Sequence, residues 1–590
     1  MTRTASHTRR VLDEFTVASD ALANPEARAL LRAEAPGLLD SPQAEQFTAF
    51  PLGGFLRFAL GLSAEAAGRV LAALGEIENT APPRSEPAAI EPDRDYEDHS
   101  VPRGSAGLDL PTSGEVHRMC EVTLTGPSHG NPFVDVELAA EFRLGKRSLT
   151  VGGFYDGDGR YCVRFLPPEA GRWRFTTEST TRSLDGVTGI LEVGSGNARG
   201  PVRVADTFHF ATPDGAPYRP VGTTAYAWTH QSEELQERTL RALAQAPFNK
   251  LRMCLFPKHY LYNSNEPDRF VFPRNPDGSF DLERFDVRYF AAIEQRIAQL
   301  ADLGVEAELI LFHPYDRWGF ADLGKAVDDR YVRYVVRRLA ALPTVWWSMA
   351  NEYDLLTAKR PEDWNRLGFL VRKEDHVGHP VSIHNWIRVF DQSEPWLTHA
   401  SIQRGGDDLA GKVDEWRLRW NKPVLIDEFG YEGDLDQAWG NRTAEEVVRR
   451  FWEVTLRGGY LTHGETFWSE DEVIFWSKGG DLRGESLPRI AFLKRVVAES
   501  PGRIDPIRTD WDAVSGGVEG RYLLLYFGTG RPRFRNVSVP GGMRARIDVL
   551  DTWNMTIDEL PGVHEGTVRV ELPARPYMAI RLRAEAADDE

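Results

Sequence analysis

The chain has 590 residues, 42% of them apolar, with 16 tryptophans. That length exceeds what one core usually organises, so two to four domains are expected, and the apolar and aromatic content fits a globular protein with an ample core. A net charge of −18 excludes nucleic acid and anionic membrane as partners, because phosphate would be repelled.

The first fifteen residues are polar and charged and carry no apolar run of the kind a secretory signal needs. Phe50 to Leu62 is apolar but too short to span a bilayer, and Arg57 interrupts it. Cys120, Cys162 and Cys254 are too sparse and too far apart for a disulfide framework, a metal knuckle or a redox motif, which favours a reducing compartment. The expectation is a soluble, cytoplasmic protein with no membrane partner. Its oligomeric state is left open, a homo-oligomer included.

In chain order, residues 1–78 are rich in Ala, Leu, Glu and Arg with helical apolar spacing over Ala64 to Leu74, and predict a small helical segment. Residues 79–114 hold many prolines and acids and read as a linker or extended arm. Over residues 115–205, short alternating runs such as Val134 to Phe142 and Gly171 to Thr177 are punctuated by turn residues, as in a β-sandwich. Residues 206–500 supply eight strand-like segments: Tyr218 to Trp228, Asn249 to Pro257, Val305 to Pro314, Thr344 to Glu352, Pro380 to Trp386, Leu397 to Gln403, Pro423 to Gly430 and Tyr460 to Trp468. Helical stretches between most of them, such as Val287 to Leu303 and Ala444 to Arg457, predict a (β/α)8 barrel. An open doubly wound sheet competes, but no Gly-x-Gly-x-x-Gly turn follows the first strand. Residues 501–590 return to β signals and predict a second small sandwich. The fold class is thus multidomain, a barrel flanked by two β-sandwiches, with a helical N-terminal segment.

Two short apolar runs in the barrel end in a glutamate. The first is Val345-Trp346-Trp347-Ser348-Met349-Ala350-Asn351-Glu352, and the second is Pro423-Val424-Leu425-Ile426-Asp427-Glu428-Phe429-Gly430. Both read as buried parallel strands whose carboxylates sit at the C-terminal tip, where a barrel places its catalytic groups. Two such carboxyls fit hydrolysis of a glycosidic bond, one as acid and one as nucleophile.

Asn351-Glu352 and Glu428-Phe429-Gly430 resemble the signature of the clan A retaining glycoside hydrolases, a large set of (β/α)8 barrels. The run Gly152-Gly153-Phe154-Tyr155-Asp156-Gly157 is similar to the sandwich module that precedes the barrel in bacterial members, and the domain order is similar to theirs as well. The resemblance spans residues 115–590. It implies an O-glycosidase with Glu352 as general acid/base, Glu428 as nucleophile, a carbohydrate substrate and no cofactor.

Further substrate-binding candidates lie at other strand ends. Arg252 on strand two could hydrogen-bond the nucleophile and keep it ionised. His313 ends strand three, where clan members place a sugar-contacting histidine, and Asn351 would hold the hydroxyl beside the anomeric carbon. His384 ends strand five. Gln403 occupies the tip of strand six, where the clan usually has a His or Tyr on the nucleophile. Trp468 ends strand eight and matches the clan's aromatic platform, and Glu465 is a third acid nearby that could bind hydroxyls.

Two other classes stay open. A metal-dependent barrel hydrolase would use His230, His259, His313, His384 and His399, but strand one lacks a His-x-His, and no metal site is assigned. A non-catalytic carbohydrate-binding protein would keep Trp228 and Trp468 but has no need of both glutamates.

Overall fold

The computed structural model describes residues 10–35, 39, 47–82, 89–509 and 511–585. Each of the eight strand-like segments contributes one barrel strand. In chain order the barrel runs β1 (Val221–Thr224), α1 (Glu233–Leu243), β2 (Lys250–Cys254), α2 (Val287–Asp302), β3 (Glu306–Phe312), α3 (Lys325–Leu339), β4 (Val345–Ala350) and α4 (Pro361–Glu374). It continues with β5 (Val381–Ser382), β6 (Ala400–Gln403), α5 (Leu409–Trp420), β7 (Val424–Glu428), α6 (Ala444–Leu456), β8 (Tyr460–His463) and α7 (Ser486–Ala498). All neighbouring strands are parallel, and the ring closes between β5 and β6 through a single bridge, His384 to Ser401. No helix separates β5 from β6.

Side-chain alternation explains why these strands read as continuous apolar runs. Leu251, Met253, Leu309, Leu311, Trp347 and Met349 pack outward against buried residues of the helices, such as Ile293, Ile297, Val332, Val335 and Leu367. The alternate positions, Lys250, Arg252, Glu306, Glu308, Trp346 and Ser348, are equally buried. Helix starts follow their caps: Ser232, Asp286 and Thr443 each accept a backbone N–H from the first turn of α1, α2 and α6.

A three-stranded antiparallel sheet over residues 203–218 covers the N-terminal end of the barrel, where Phe210, Tyr218, Trp346, Leu425 and Tyr460 cluster. The catalytic end is therefore the opposite one.

The N-terminal sandwich turns on one strand, Arg147–Tyr155, whose first part pairs with Leu138–Leu144 and whose last part pairs with Arg160–Phe165. Gly152 sits at that change of partner, where a Cβ would meet Arg337 of α3 at 2.6 Å. Arg337 bonds Glu374 and Glu137, and Arg164 bonds Glu294, so the sandwich docks on the flank of the barrel through ion pairs at the edge of the interface. The stretch read as a linker departs from that reading. Tyr96 stacks on His129 at 4.4 Å, and Gly107–Asp109 already pairs with Cys120–Thr125. The C-terminal unit is a six-stranded sheet plus a two-stranded one, resting on α6 and α7 through Tyr526 on Trp452 and the Tyr522 hydroxyl on the Val496 carbonyl.

The helical N-terminal unit packs Leu12, Leu31, Leu52, Phe55, Val70 and Leu74 into a core of its own. It meets the barrel beside the catalytic end: Phe50 lies edge-on to Trp386 at 5.3 Å, Asp13 pairs with Arg360 and Glu14 with Arg388. No helix among the described residues is long and apolar enough to cross a membrane.

Candidate active site

Glu352 follows β4 directly, in a left-handed backbone conformation with φ 50° and ψ 55°. That region is costly for a residue with a Cβ and persists where surrounding structure over-determines it. Here the restraint is local. The Tyr353 N–H bonds the His384 carbonyl (2.9 Å), and the carboxylate of Asp354 accepts the backbone N–H groups of Trp386, Ile387 and Arg388.

Gln403 stands beside both glutamates. It is in register with Glu428 across β6 and β7, at a point where the ladder shifts by a residue. With its amide turned to satisfy both neighbours, Gln403 Nε2 donates to Glu352 Oε1 and to the Asn385 carbonyl, each at 3.1 Å. The Tyr315 hydroxyl donates to the other oxygen of Glu352.

Glu428 is held differently. The Tyr226 hydroxyl donates to its Oε1, and His384 Nε2 lies 3.4 Å from the same oxygen. The Ser401 hydroxyl donates to Asp427 at 2.6 Å and so accepts from His384 Nδ1 at 3.0 Å, which orients the ring toward Glu428.

These surroundings drive the two carboxyls apart. Burial pushes Glu352 up to about 8, reinforced by the charge of Glu428 and only partly opposed by Tyr315 and Lys258. Burial also acts upward on Glu428, but the hydrogen bond and charge of His384, then Tyr226 and Arg252, outweigh it and hold the group down to about 2. One buried carboxyl is set to carry a proton and its neighbour to carry a charge.

The structure redistributes several expected roles. Arg252 does not bond the nucleophile: its guanidinium donates to Glu308 (2.9 Å) and Asn351 (3.2 Å), pairs with Asp427 (3.2 Å), and reaches Glu428 only through space. Asn351 is thereby fixed next to the acid. His313 is buried behind Tyr315, with Nε2 on the Phe256 carbonyl at 3.1 Å, and burial lowers its pKa to about 3. Glu465 is spent on structure, because its carboxylate accepts the backbone N–H groups of Arg483 and Gly484, and its charge neighbours are His463 and Glu432. Trp468 lies five residues beyond β8, is 52% exposed, and is tied to Asp434 by its backbone N–H.

Four groups at the site were not singled out in the sequence: Tyr226, Tyr315, Lys258 and Trp476. Trp476 takes the position among the rings that Trp468 was expected to fill, edge-on to Tyr226 at 6.0 Å and 6.1 Å from Tyr260. A sequence signal existed for Tyr226 and Tyr315, since both stand just past a strand end. Among the described residues no group of three or more His, Cys, Asp or Glu side chains is arranged to hold a metal ion.

An eight-stranded parallel barrel with a glutamate at the tips of β4 and β7 has the fold of the clan A glycosidases, and comparison with known proteins identifies the chain as a glycosidase. Residues 205–499 match the family described as "Apiosidase-like, catalytic domain", and the chain belongs to that family. Two domains of unknown function, DUF5060 and DUF5605, match residues 114–180 and 511–583. A candidate glycoside hydrolase from Bacteroides vulgatus ATCC 8482 is 36% identical, with a TM-score of 0.76 over 80% of this chain and 100% of that one. A family 5 glycoside hydrolase from the same organism is 15% identical, with a TM-score of 0.52 over 66% of this chain and 95% of that one, and shares the fold. No curated protein matches the chain.

Proposed function

We propose that the protein hydrolyses a glycosidic bond by double displacement, with Glu428 as nucleophile and Glu352 as general acid and then base. The observation that carries this reading is a pair of buried glutamates at the tips of β4 and β7 held by different groups, Tyr315 and Gln403 on Glu352 and Tyr226 and His384 on Glu428, surroundings that push the first carboxyl up and hold the second down. The Tyr226 hydroxyl and His384 Nε2 both approach Oε1 of Glu428, which favours Oε2 as the oxygen that attacks the anomeric carbon, with the Tyr431 hydroxyl beside the same carboxylate. As that bond forms, the bond to the leaving oxygen breaks and takes the proton of Glu352. Esterification then cancels the charge of Glu428, which after burial is the largest of the effects that raise Glu352. The resulting carboxylate can accept a proton from the water that releases the sugar. Asn351, pinned by Arg252, is placed for the hydroxyl beside the anomeric carbon, and Trp476 supplies an aromatic wall.

The family's description suggests the substrate class, a glycoside of apiose, whose furanose ring would need a small pocket. A panel of nitrophenyl glycosides that includes the apiofuranoside tests the sugar. Glu428→Gln should lower turnover by ~10⁴-fold or more with the fold intact. Glu352→Gln should damage substrates with poor leaving groups more than aryl glycosides. The first-formed sugar, followed by NMR, should keep the anomeric configuration of the substrate. An inverted product would rule out the double displacement.

A further inference from the structure

Lys258 is the first residue after Pro257, four positions beyond β2, and its side chain is 3% exposed. Its ammonium lies 4.2 Å from the ring centre of Tyr226, 4.3 Å from Tyr315, 4.7 Å from Trp476 and 5.7 Å from Tyr260. Two of those rings carry the hydroxyls that hold Glu428 and Glu352. The lysine therefore sits between the two tyrosines that clamp the two carboxyls.

Its backbone is fixed there. The Asn263 amide donates to the Lys258 carbonyl, and the next residue's N–H bonds the Tyr315 carbonyl at 2.8 Å. Among the described residues, no hydrogen bond or ion pair engages its Nζ. A buried ammonium with three donors is costly unless paired. Aromatic faces offset part of that cost and leave the donors unspent. The other buried lysines of the barrel show the contrast, since Lys250 is bonded to both Glu308 and Asp427, and Lys359 pairs with Asp328 and donates to the Ala321 carbonyl.

We propose that Lys258 is a substrate-binding residue of the reacting-sugar site, donating a hydrogen bond from Nζ to a sugar hydroxyl. The inference rests on the paired-glutamate reading above and adds to it the group that orients the ring between acid and nucleophile. A hydroxyl fits better than a sugar carboxylate, because the ionised Glu428 is already a near neighbour and a second anion would be repelled by it. The aromatic faces accept an ammonium and hold it in place while leaving its N–H groups directed at whatever enters between the glutamates.

The test is a two-way cycle with the aryl glycoside that the wild type cleaves fastest and its single-deoxy analogues. Lys258→Met, which keeps the length and packs against the rings, should lower kcat/KM for the parent by about 10- to 100-fold, the range for a hydrogen bond to a charged group. One deoxy analogue should lose a similar factor in the wild type and lose almost nothing more in Lys258→Met. Lys258→Gln, which restores a donor without the charge, should recover part of the loss and provides the same cycle if the Met variant is unstable. The assignment is overturned if the variant and every deoxy change multiply independently, since Lys258 would then hold no hydroxyl. It is overturned equally if the variant selectively abolishes a preference for uronides, which would make it a carboxylate clamp. Wild-type turnover in Glu428→Gln would instead remove the glutamate reading itself, leaving the cycle to be judged on its own factors.

Discussion

The barrel interior holds two layers of buried charge, and they are built on opposite plans. In the lower layer Lys250 bonds Glu308 and Asp427, and Arg252 bonds Glu308 at 2.9 Å and pairs with Asp427 at 3.2 Å, so two cations and two anions close on each other. Ser401 and Thr462 complete the remaining valences of Asp427, each at 2.6 Å. In the upper layer Glu352, Glu428 and Lys258 are buried too, though less completely, yet among the described residues none of them is bonded to a Lys, Arg, Asp or Glu side chain of opposite sign. A network whose charges are all paired with one another has no free charge to offer a ligand. It locks β2, β3, β6, β7 and β8 together and sets the potential in which the upper layer titrates. The unsaturated layer pays its desolvation cost in order to keep a proton, a lone pair and an ammonium available.

Breaking the lower layer should have the largest effect on folding. Lys250→Met leaves two carboxylates facing one arginine in a dry interior, and loss of one partner of a buried network costs about 3–5 kcal/mol. Urea unfolding should show that loss in the midpoint. A midpoint within experimental error of the wild type would mean that the two layers are not different in kind.

The upper layer makes the converse prediction, that removing a charge-bearing group stabilises. Glu352 has an ordinary value of 4.5 and is raised to about 8 when folded. Below 4.5 both states are protonated and nothing is lost. As pH rises from 4.5 to 8 the unfolded chain gains by ionising while the folded one does not, so stability falls across that window and levels off above it. Glu352→Gln has no proton to lose. Its thermal midpoint should match the wild type at pH 4 and exceed it at pH 9 by an amount corresponding to at most a few kcal/mol. The same variant should remove the basic limb of kcat/KM near pH 8, and survival of that limb would pass the acid's role to another group.

A smaller effect is expected at Tyr226, whose hydroxyl favours the ionised form of Glu428. Tyr226→Phe should lower kcat/KM about tenfold, the cost of one charge-assisted hydrogen bond, and move the acidic limb upward. A downward shift would contradict the geometry.

The barrel was legible because its strands are buried on both faces and its helices carry caps, two signals that are local in sequence. Val345–Ala350 and Val424–Glu428 fall inside the predicted runs, and Gln403, in register with Glu428, bonds Glu352. What was not legible is the choice of partner. Arg252 stands at the expected strand end, but Glu308 and Asp427 lie closer to its guanidinium than the nucleophile does. The donor expected from strand six comes instead from His384 on the β5 side and Tyr226 on the β1 side. Lys258 gives no sequence signal beyond a strand-end basic residue among aromatics, because its four rings come from residues 226, 260, 315 and 476.

The weakest effect separates two tryptophans. Trp468 matches the clan's platform by order along the chain, whereas Trp476 lies against Lys258, Tyr226 and Tyr260. The loop between them explains the exchange: after β8 the chain leaves the site, exposes Trp468, and returns in a short helix, Phe475–Lys478, whose backbone accepts the N–H groups of Tyr226 and Ala227. An exposed ring away from special features contributes within ~0.5 kcal/mol to stability. Trp468→Ala should therefore leave the melting midpoint and kcat/KM nearly unchanged, while Trp476→Ala, which empties part of the aromatic cluster, should cost ~3–5 kcal/mol and raise KM. A rise in KM of tenfold or more in Trp468→Ala with an unchanged midpoint would return the platform to the position its sequence order suggested, and would mean that the loop closes over the bound sugar.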